Sequence, residues 1–170
     1  FFSGCNLWYK TNGLPVEDID MTPRLVSVQG TGGVSDIVKN VSPAIVGIYS
    51  KLSRGSAVGS GVAIRNGGYI LTNQHVIADT RGLTLFLADK TTVSADVLWQ
   101  DSSIDMAIIK AAQNLPYLGC ETTLPSVGDD VLAIGTPLSI AFQHTVTKGI
   151  MSALNRTLQV ENENGTTTYM

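Results

Sequence analysis

Two residues of this chain stand where chemistry is done. His75 ends the segment Gly59-Ser-Gly-Val-Ala-Ile-Arg-Asn-Gly-Gly-Tyr-Ile-Leu-Thr-Asn-Gln-His75. The segment reads as a strand, a Gly-Gly turn and a second strand, with the histidine where that strand runs out. Asp105 stands at the mouth of another strand, in Asp101-Ser-Ser-Ile-Asp105-Met-Ala-Ile-Ile-Lys110. An aspartate that accepts a hydrogen bond from one imidazole nitrogen leaves the other nitrogen able to take a proton from a hydroxyl nucleophile. The nucleophile itself, a serine, is not recognisable in the 170 residues.

Each residue has a plainer reading. A lone histidine is more often packed or solvated than catalytic, and the chain has only two, His75 and His144. Aspartates commonly end strands as turn residues. The flanks favour chemistry: the strand after Asp105 is apolar at nearly every position, so its carboxylate is expected on a rigid, largely buried element. A buried carboxylate needs a partner or loses its charge, and an imidazole N–H is a good one. On the same reasoning, His75 Nδ1 should lie about 2.6–3.2 Å from an Asp105 oxygen. Asp101 competes for the role, but lies among serines in a turn and should be the more exposed of the two.

The glycine cluster Gly55 to Gly61 lacks the Gly-Lys-Ser/Thr ending of a phosphate-binding loop and leads into a strand, so that reading fails. A metal site from His75, His144 and Asp105 lacks metal-ligand spacing. No metal or cofactor is expected. Ser126, Ser139 and Ser152 lack flanking glycines, and the nucleophile's role falls to none of them. Cys5 and Cys120 fit neither a disulfide framework nor a zinc pattern, and Cys120 reads as a small buried or turn residue.

The elements that must position His75 and Asp105 are strands. Ala44–Tyr49, Ser60–Ile64, Tyr69–Thr72, Leu83–Leu87, Val93–Trp99 and Ile104–Ile109 are short, β-branched and separated by turn residues. Six strands at this spacing predict a closed or nearly closed antiparallel barrel. A short helix precedes them over Ser35–Ser42, begun by a capping serine and ended by Pro43. Leu115-Pro116 and Leu124-Pro125 bracket a connector. Strands are expected again from Val127, over Thr145–Leu154 and over Thr157–Glu161, with a turn at Asn162–Gly165.

With 44% apolar and 15% charged residues, the chain has the composition of a folded core, not of a disordered segment. A net charge of −3 with no run of Lys or Arg gives no electrostatic footprint for nucleic acid. Residues 1–33 read as an anchor remnant followed by an extended stalk. Ser3-Gly4-Cys5 after an apolar stub resembles a lipoprotein cleavage box, with Phe2 where Leu is usual; a trimmed transmembrane anchor and a chance tripeptide are the alternatives.

Taken together, the motifs resemble the HtrA/DegP family of trypsin-like serine proteases, from about Asp36 to Met170. The resemblance is carried by Val41–Ile48, by Gly59-Ser-Gly-Val with Leu71-Thr-Asn-Gln-His75, by Asp101–Lys110, by Val127–Pro137 and by Val146–Arg156. Pro137-Leu-Ser139 departs from the family's usual Pro-Phe/Leu-Gly. The resemblance implies an all-β protein with two antiparallel β-barrels. Residues 34–125 would form the first barrel, carrying His75 and Asp105, and 126–170 the first strands of a second, incomplete barrel.

It also implies a serine endopeptidase acting on unfolded or damaged proteins or peptides outside the cytoplasmic membrane. The protein would be held there by its N-terminal segment or a lipid on Cys5, and such proteases are often homotrimers. His75 would be the general base and Asp105 its orienting partner. The family's Gly-Asn-Ser-Gly-Gly segment is missing, so this stretch alone is expected to be inactive, a fragment of a longer protein. A non-catalytic, protease-like binding module is the alternative if the natural chain ends at Met170.

Overall fold

The computed structural model describes residues 33–135, 145–154, 159–161 and 167–169. Its centre is a barrel whose strands alternate inward and outward side chains. Strands β1 (Ile45–Lys51), β2 (Ser56–Arg65), β3 (Tyr69–Thr72), β4 (Gly82–Phe86), β5 (Thr92–Asp101) and β6 (Met106–Ala111) close in the order β1-β2-β3-β6-β5-β4. Every neighbouring pair is antiparallel, and the ring closes through Ile48 opposite Leu85. Closure leaves no unpaired strand edge in this unit.

Val46, Ile48, Ile70, Leu85 and Ile109 fill the interior and are wholly buried. Between these branched side chains stand small ones: Gly61 and Ala63 on β2, Ala95 on β5, Ala107 and Ala111 on β6. The alternation is a volume requirement, because a six-stranded interior is narrow and must be filled without overlap. Gly61 is one point in the interior with no room for a side chain. A Cβ there would come within 2.6 Å of the Ile70 side chain and 2.9 Å of Ile48.

Ser50 is also fully buried on the inner face of β1, and among the described residues its hydroxyl has no hydrogen-bond partner. An unsatisfied buried hydroxyl costs desolvation without return. Ser50→Ala is therefore expected to leave the unfolding free energy unchanged or to raise it by about 1 kcal/mol, read from urea denaturation midpoints; a loss of stability would show that the hydroxyl is bonded.

Helix α1 (Val34–Val41) precedes the barrel. Its N-cap is Gly33 with no side-chain cap, so Ser35 lies inside the first turn and does not cap it. The helix passes into a 3-10 turn, Ser42–Ala44, that contains Pro43. Ile37 and Val41 of α1 face Ile45, Leu118 and, from the next strand, Leu132 and Ile134 across an apolar groove of about 300 Å³. After β6 the chain returns to the barrel: Leu115 is buried, and the Leu118 N–H donates to the Ala63 carbonyl at 2.9 Å.

Beyond residue 125 the described strands form two two-stranded antiparallel sheets, β7 (Asp130–Gly135) with β8 (Thr145–Ile150) and β9 (Gln159–Glu161) with β10 (Thr167–Tyr169). Strand β7 lies against β1 and β2. Cys120, read as a small buried or turn residue, is exposed, which removes the buried alternative. Cys5, Ser139, His144, Leu158 and the turn at 162–165 lie outside the described residues.

Candidate active site

β3 ends at Thr72, whose hydroxyl donates to the Ser60 carbonyl of β2 at 2.8 Å. The chain then turns into the single helical turn α2 (Gln74–Ile77). Val76 and Ile77 are buried against the barrel and hold α2 in place, while His75 projects outward with its side chain 70% exposed. Gly59 of β2 permits this seating. A Cβ at residue 59 would fall 2.5 Å from a methyl of Val76, so any larger residue would displace the turn that carries His75.

Asp105 closes the turn between β5 and β6 in a left-handed conformation, φ 49°, which Asp tolerates better than most residues. Its carboxylate receives three hydrogen bonds. Oδ1 accepts from the His75 backbone N–H at 2.9 Å. Oδ2 lies 2.8 Å from His75 Nδ1 and accepts from Asn73 Nδ2 at 3.2 Å. Asn73 Nδ2 also donates to the Asp105 carbonyl at 3.2 Å, fixing the turn itself.

An ionised carboxylate only accepts, so the ring nitrogen facing it must carry the proton. In neutral His75 that leaves Nε2 unprotonated, with its lone pair directed away from Asp105. The arrangement can take a proton at Nε2 and stabilise the imidazolium that results.

Partial desolvation pushes the Asp105 carboxyl upward. The His75 backbone N–H, the imidazole's hydrogen bond and charge, and Asn73 together outweigh it and hold the group below its ordinary value of 3.8. A depressed carboxylate adds stability that is fully present above the unfolded-state value and is lost as pH falls through the lower folded-state one. Wild-type protein is thus expected to lose stability below about pH 4 more steeply than an Asp105→Asn variant. Denaturation midpoints across that range test it; parallel curves throughout would show that the bonds to Asp105 do not discriminate its charged form.

The structure brings His75 and Asp105 together and turns Asp101 elsewhere. Asp101 Oδ1 accepts from the backbone N–H and hydroxyl of Ser103, at 2.8 and 2.6 Å, and these bonds lower its pKa. Asp105 is less enclosed than expected, its side chain being 30% exposed, and Asp101 is likewise half-exposed. Ser126 and Ser152 are exposed; the Ser126 backbone N–H donates to Asp129 Oδ2, and the Ser152 hydroxyl donates to the Ile150 carbonyl. Asn73 is the member of the site that the sequence reading misses. Its one signal is a carboxamide at the helix N-cap position, where its side chain makes no cap bond and goes to Asp105 instead.

Residues 59–170 match the family model of the trypsin-like peptidase domain. The serine endoprotease DegS of Salmonella typhimurium is 36% identical over 158 residues, covering 86% of this chain and 42% of its own. The crystal structure of the serine endoprotease from Yersinia pestis superposes with a TM-score of 0.67 at 33% identity, over 83% of this chain and 53% of that one. The chain belongs to the HtrA-type trypsin-like peptidases. A probable periplasmic DegP-like serine endoprotease of Pseudomonas putida is 44% identical over 105 residues, 60% of this chain and 21% of its own. The chain thus spans less than half the length of these curated relatives. As an HtrA-type chain it has the trypsin-like fold, with the closed six-stranded barrel placing His75 and Asp105 at neighbouring strand ends.

Proposed function

We propose that the whole protein is a serine endopeptidase of unfolded or damaged polypeptides and that His75 and Asp105 are its catalytic base and orienting carboxylate. The 2.8 Å contact between His75 Nδ1 and Asp105 Oδ2 carries the reading. His75 Nε2 takes the proton of a serine hydroxyl as that oxygen attacks the scissile carbonyl, then delivers it to the departing amine. Asp105 keeps the ring in the tautomer that makes this possible. No Gly-Asn-Ser-Gly-Gly segment occurs in these 170 residues, so the serine and its oxyanion-stabilising N–H groups are assigned to sequence outside them.

Relatives named as serine endoproteases, one of them periplasmic, support both the reaction and a location outside the cytoplasmic membrane. Among the described residues no helix is long and apolar enough to cross a membrane. The proposal further places an anchor in the N-terminal segment or a lipid on Cys5 and a homotrimeric assembly; membrane fractionation and solution mass test these two points.

The decisive experiment gives the whole protein reduced casein and, separately, a fluorophosphonate that labels activated serines. Hydrolysis and labelling, both abolished by His75→Ala, are the expected result. A whole protein that binds casein but neither cleaves it nor takes the label would be the non-catalytic binding module, and the endopeptidase reading would fall.

A further inference from the structure

The loop between β1 and β2 and the segment that follows α2 form an open groove of about 500 Å³. It is lined by Leu52, Ser53, Arg54, Asp79, Thr80 and Arg81. The two loops are stitched together: the Arg81 backbone N–H donates to the Lys51 carbonyl at 2.7 Å, and Arg81 Nε donates to Ser53 Oγ at 2.8 Å. That bond fixes the plane of the guanidinium and leaves its two terminal nitrogens, with four N–H donors, for another acceptor.

Among the described residues neither Arg54 nor Arg81 has a carboxylate within ion-pair distance, although Asp79 lines the same groove. Two arginines against one aspartate make the lining net positive on a chain whose own charge is −3. Guanidinium forks suit planar carboxylates, which they bind in bidentate fashion.

From these features we infer that the groove binds the side-chain carboxylates of acidic residues in the polypeptide engaged at the His75 site. The inference rests on the endopeptidase reading for what brings that polypeptide there. The spacing fits: Asp79 is four residues from His75, so the groove begins at most about 14 Å away, the span of about four extended substrate residues. Arg54 and Arg81 touch neither His75 nor Asp105 and act on substrate choice, not on the reaction.

The test uses the whole protein silenced by His75→Ala, so that binding is read without cleavage. A fluorescein-labelled, end-capped peptide with glutamate at alternate positions is compared by anisotropy with its glutamine twin. The acidic peptide should bind about tenfold tighter at low salt, a preference typical of a few partly solvated charge-assisted bonds. Arg54→Gln/Arg81→Gln should reduce the preference to within about twofold, and Arg81→Lys should retain part of it. Should the double variant lose its fold, Arg54→Gln alone, which removes no described hydrogen bond, should still lower the preference about threefold.

Equal binding of the two peptides, or a preference unchanged in the variants, overturns the inference. Casein cleavage without any charge preference would strike this groove alone. A charge preference without casein cleavage would keep the groove and strike the endopeptidase reading.

Discussion

In the whole protein, His75→Ala is expected to lower kcat on casein-derived peptides by about 10⁵–10⁶ while leaving KM within a few-fold, as removal of the base of such an assembly does elsewhere. The size follows from what the ring does here. Nε2 is the only described base that Asp105 orients, and without it the serine hydroxyl must attack with its proton still in place. The fold should not suffer: the His75 side chain is 70% exposed, while Val76 and Ile77 anchor α2 independently. Asp105 keeps the residue-75 backbone N–H and Asn73 as donors. Matching thermal midpoints for variant and wild type would tie the loss to chemistry. A fall in kcat of less than tenfold, with the fold intact, would remove His75 from the mechanism.

The barrel is legible in sequence because its strands obey one simple rule. In β3 and β4 branched residues recur at every second position, and burial alternates with the same period there and in β6. The pattern starts β2 too late, at Ser60, whereas the strand pairs with β1 from Ser56 onward. Gly59 and Gly61 lower strand propensity, yet they are what the fold needs there, one to admit Val76 and the other to clear Ile70.

Branching alone would place Ile104 in β6. It sits instead in the turn, 57% exposed, and the strand starts at Met106. Two contacts override the local preference: the side chain of Asp101 folds onto Ser103, and Asn73 reaches across to the Asp105 carbonyl. Neither is visible as a pattern in sequence, since one is a turn geometry and the other joins residues 32 apart.

For the same reason the site is only half legible. Histidine and aspartate announce themselves by standing at strand ends beside rigid apolar segments. Asn73 does not, because its part depends on the left-handed backbone of Asp105, which only the folded turn imposes. Beyond residue 125, the expected strand start at Thr145 agrees with the structure, but Met151–Leu154 carry no strand. Propensity alone extends that strand past its last partner, Ile150 opposite Asp130.

Asp105→Asn should leave the site almost unchanged in shape and lower kcat by about 10⁴, the loss typical when this carboxylate becomes an amide. The amide oxygen of the variant could still accept the His75 backbone N–H, as Asp105 Oδ1 does now. Its amide nitrogen would then replace Oδ2, 2.8 Å from His75 Nδ1. A donor there forces Nδ1 to become the acceptor, which moves the imidazole proton to Nε2. That nitrogen could no longer receive the serine proton, and the negative charge that stabilises the imidazolium would be gone as well. Asn73 would add to the effect, since its Nδ2 now donates to the same Oδ2 and would face an N–H₂ in its place. The prediction separates orientation from bulk, because Asp105→Asn conserves volume and should cost little stability at pH 7 beyond the lost charge-assisted bonds. Steady-state kinetics, with proton NMR to assign the tautomer of His75, would decide it. A variant that retained more than about a tenth of wild-type kcat, far above the expected residual activity, would mean that Asp105 merely builds the turn and that the tautomer of His75 is set by something else.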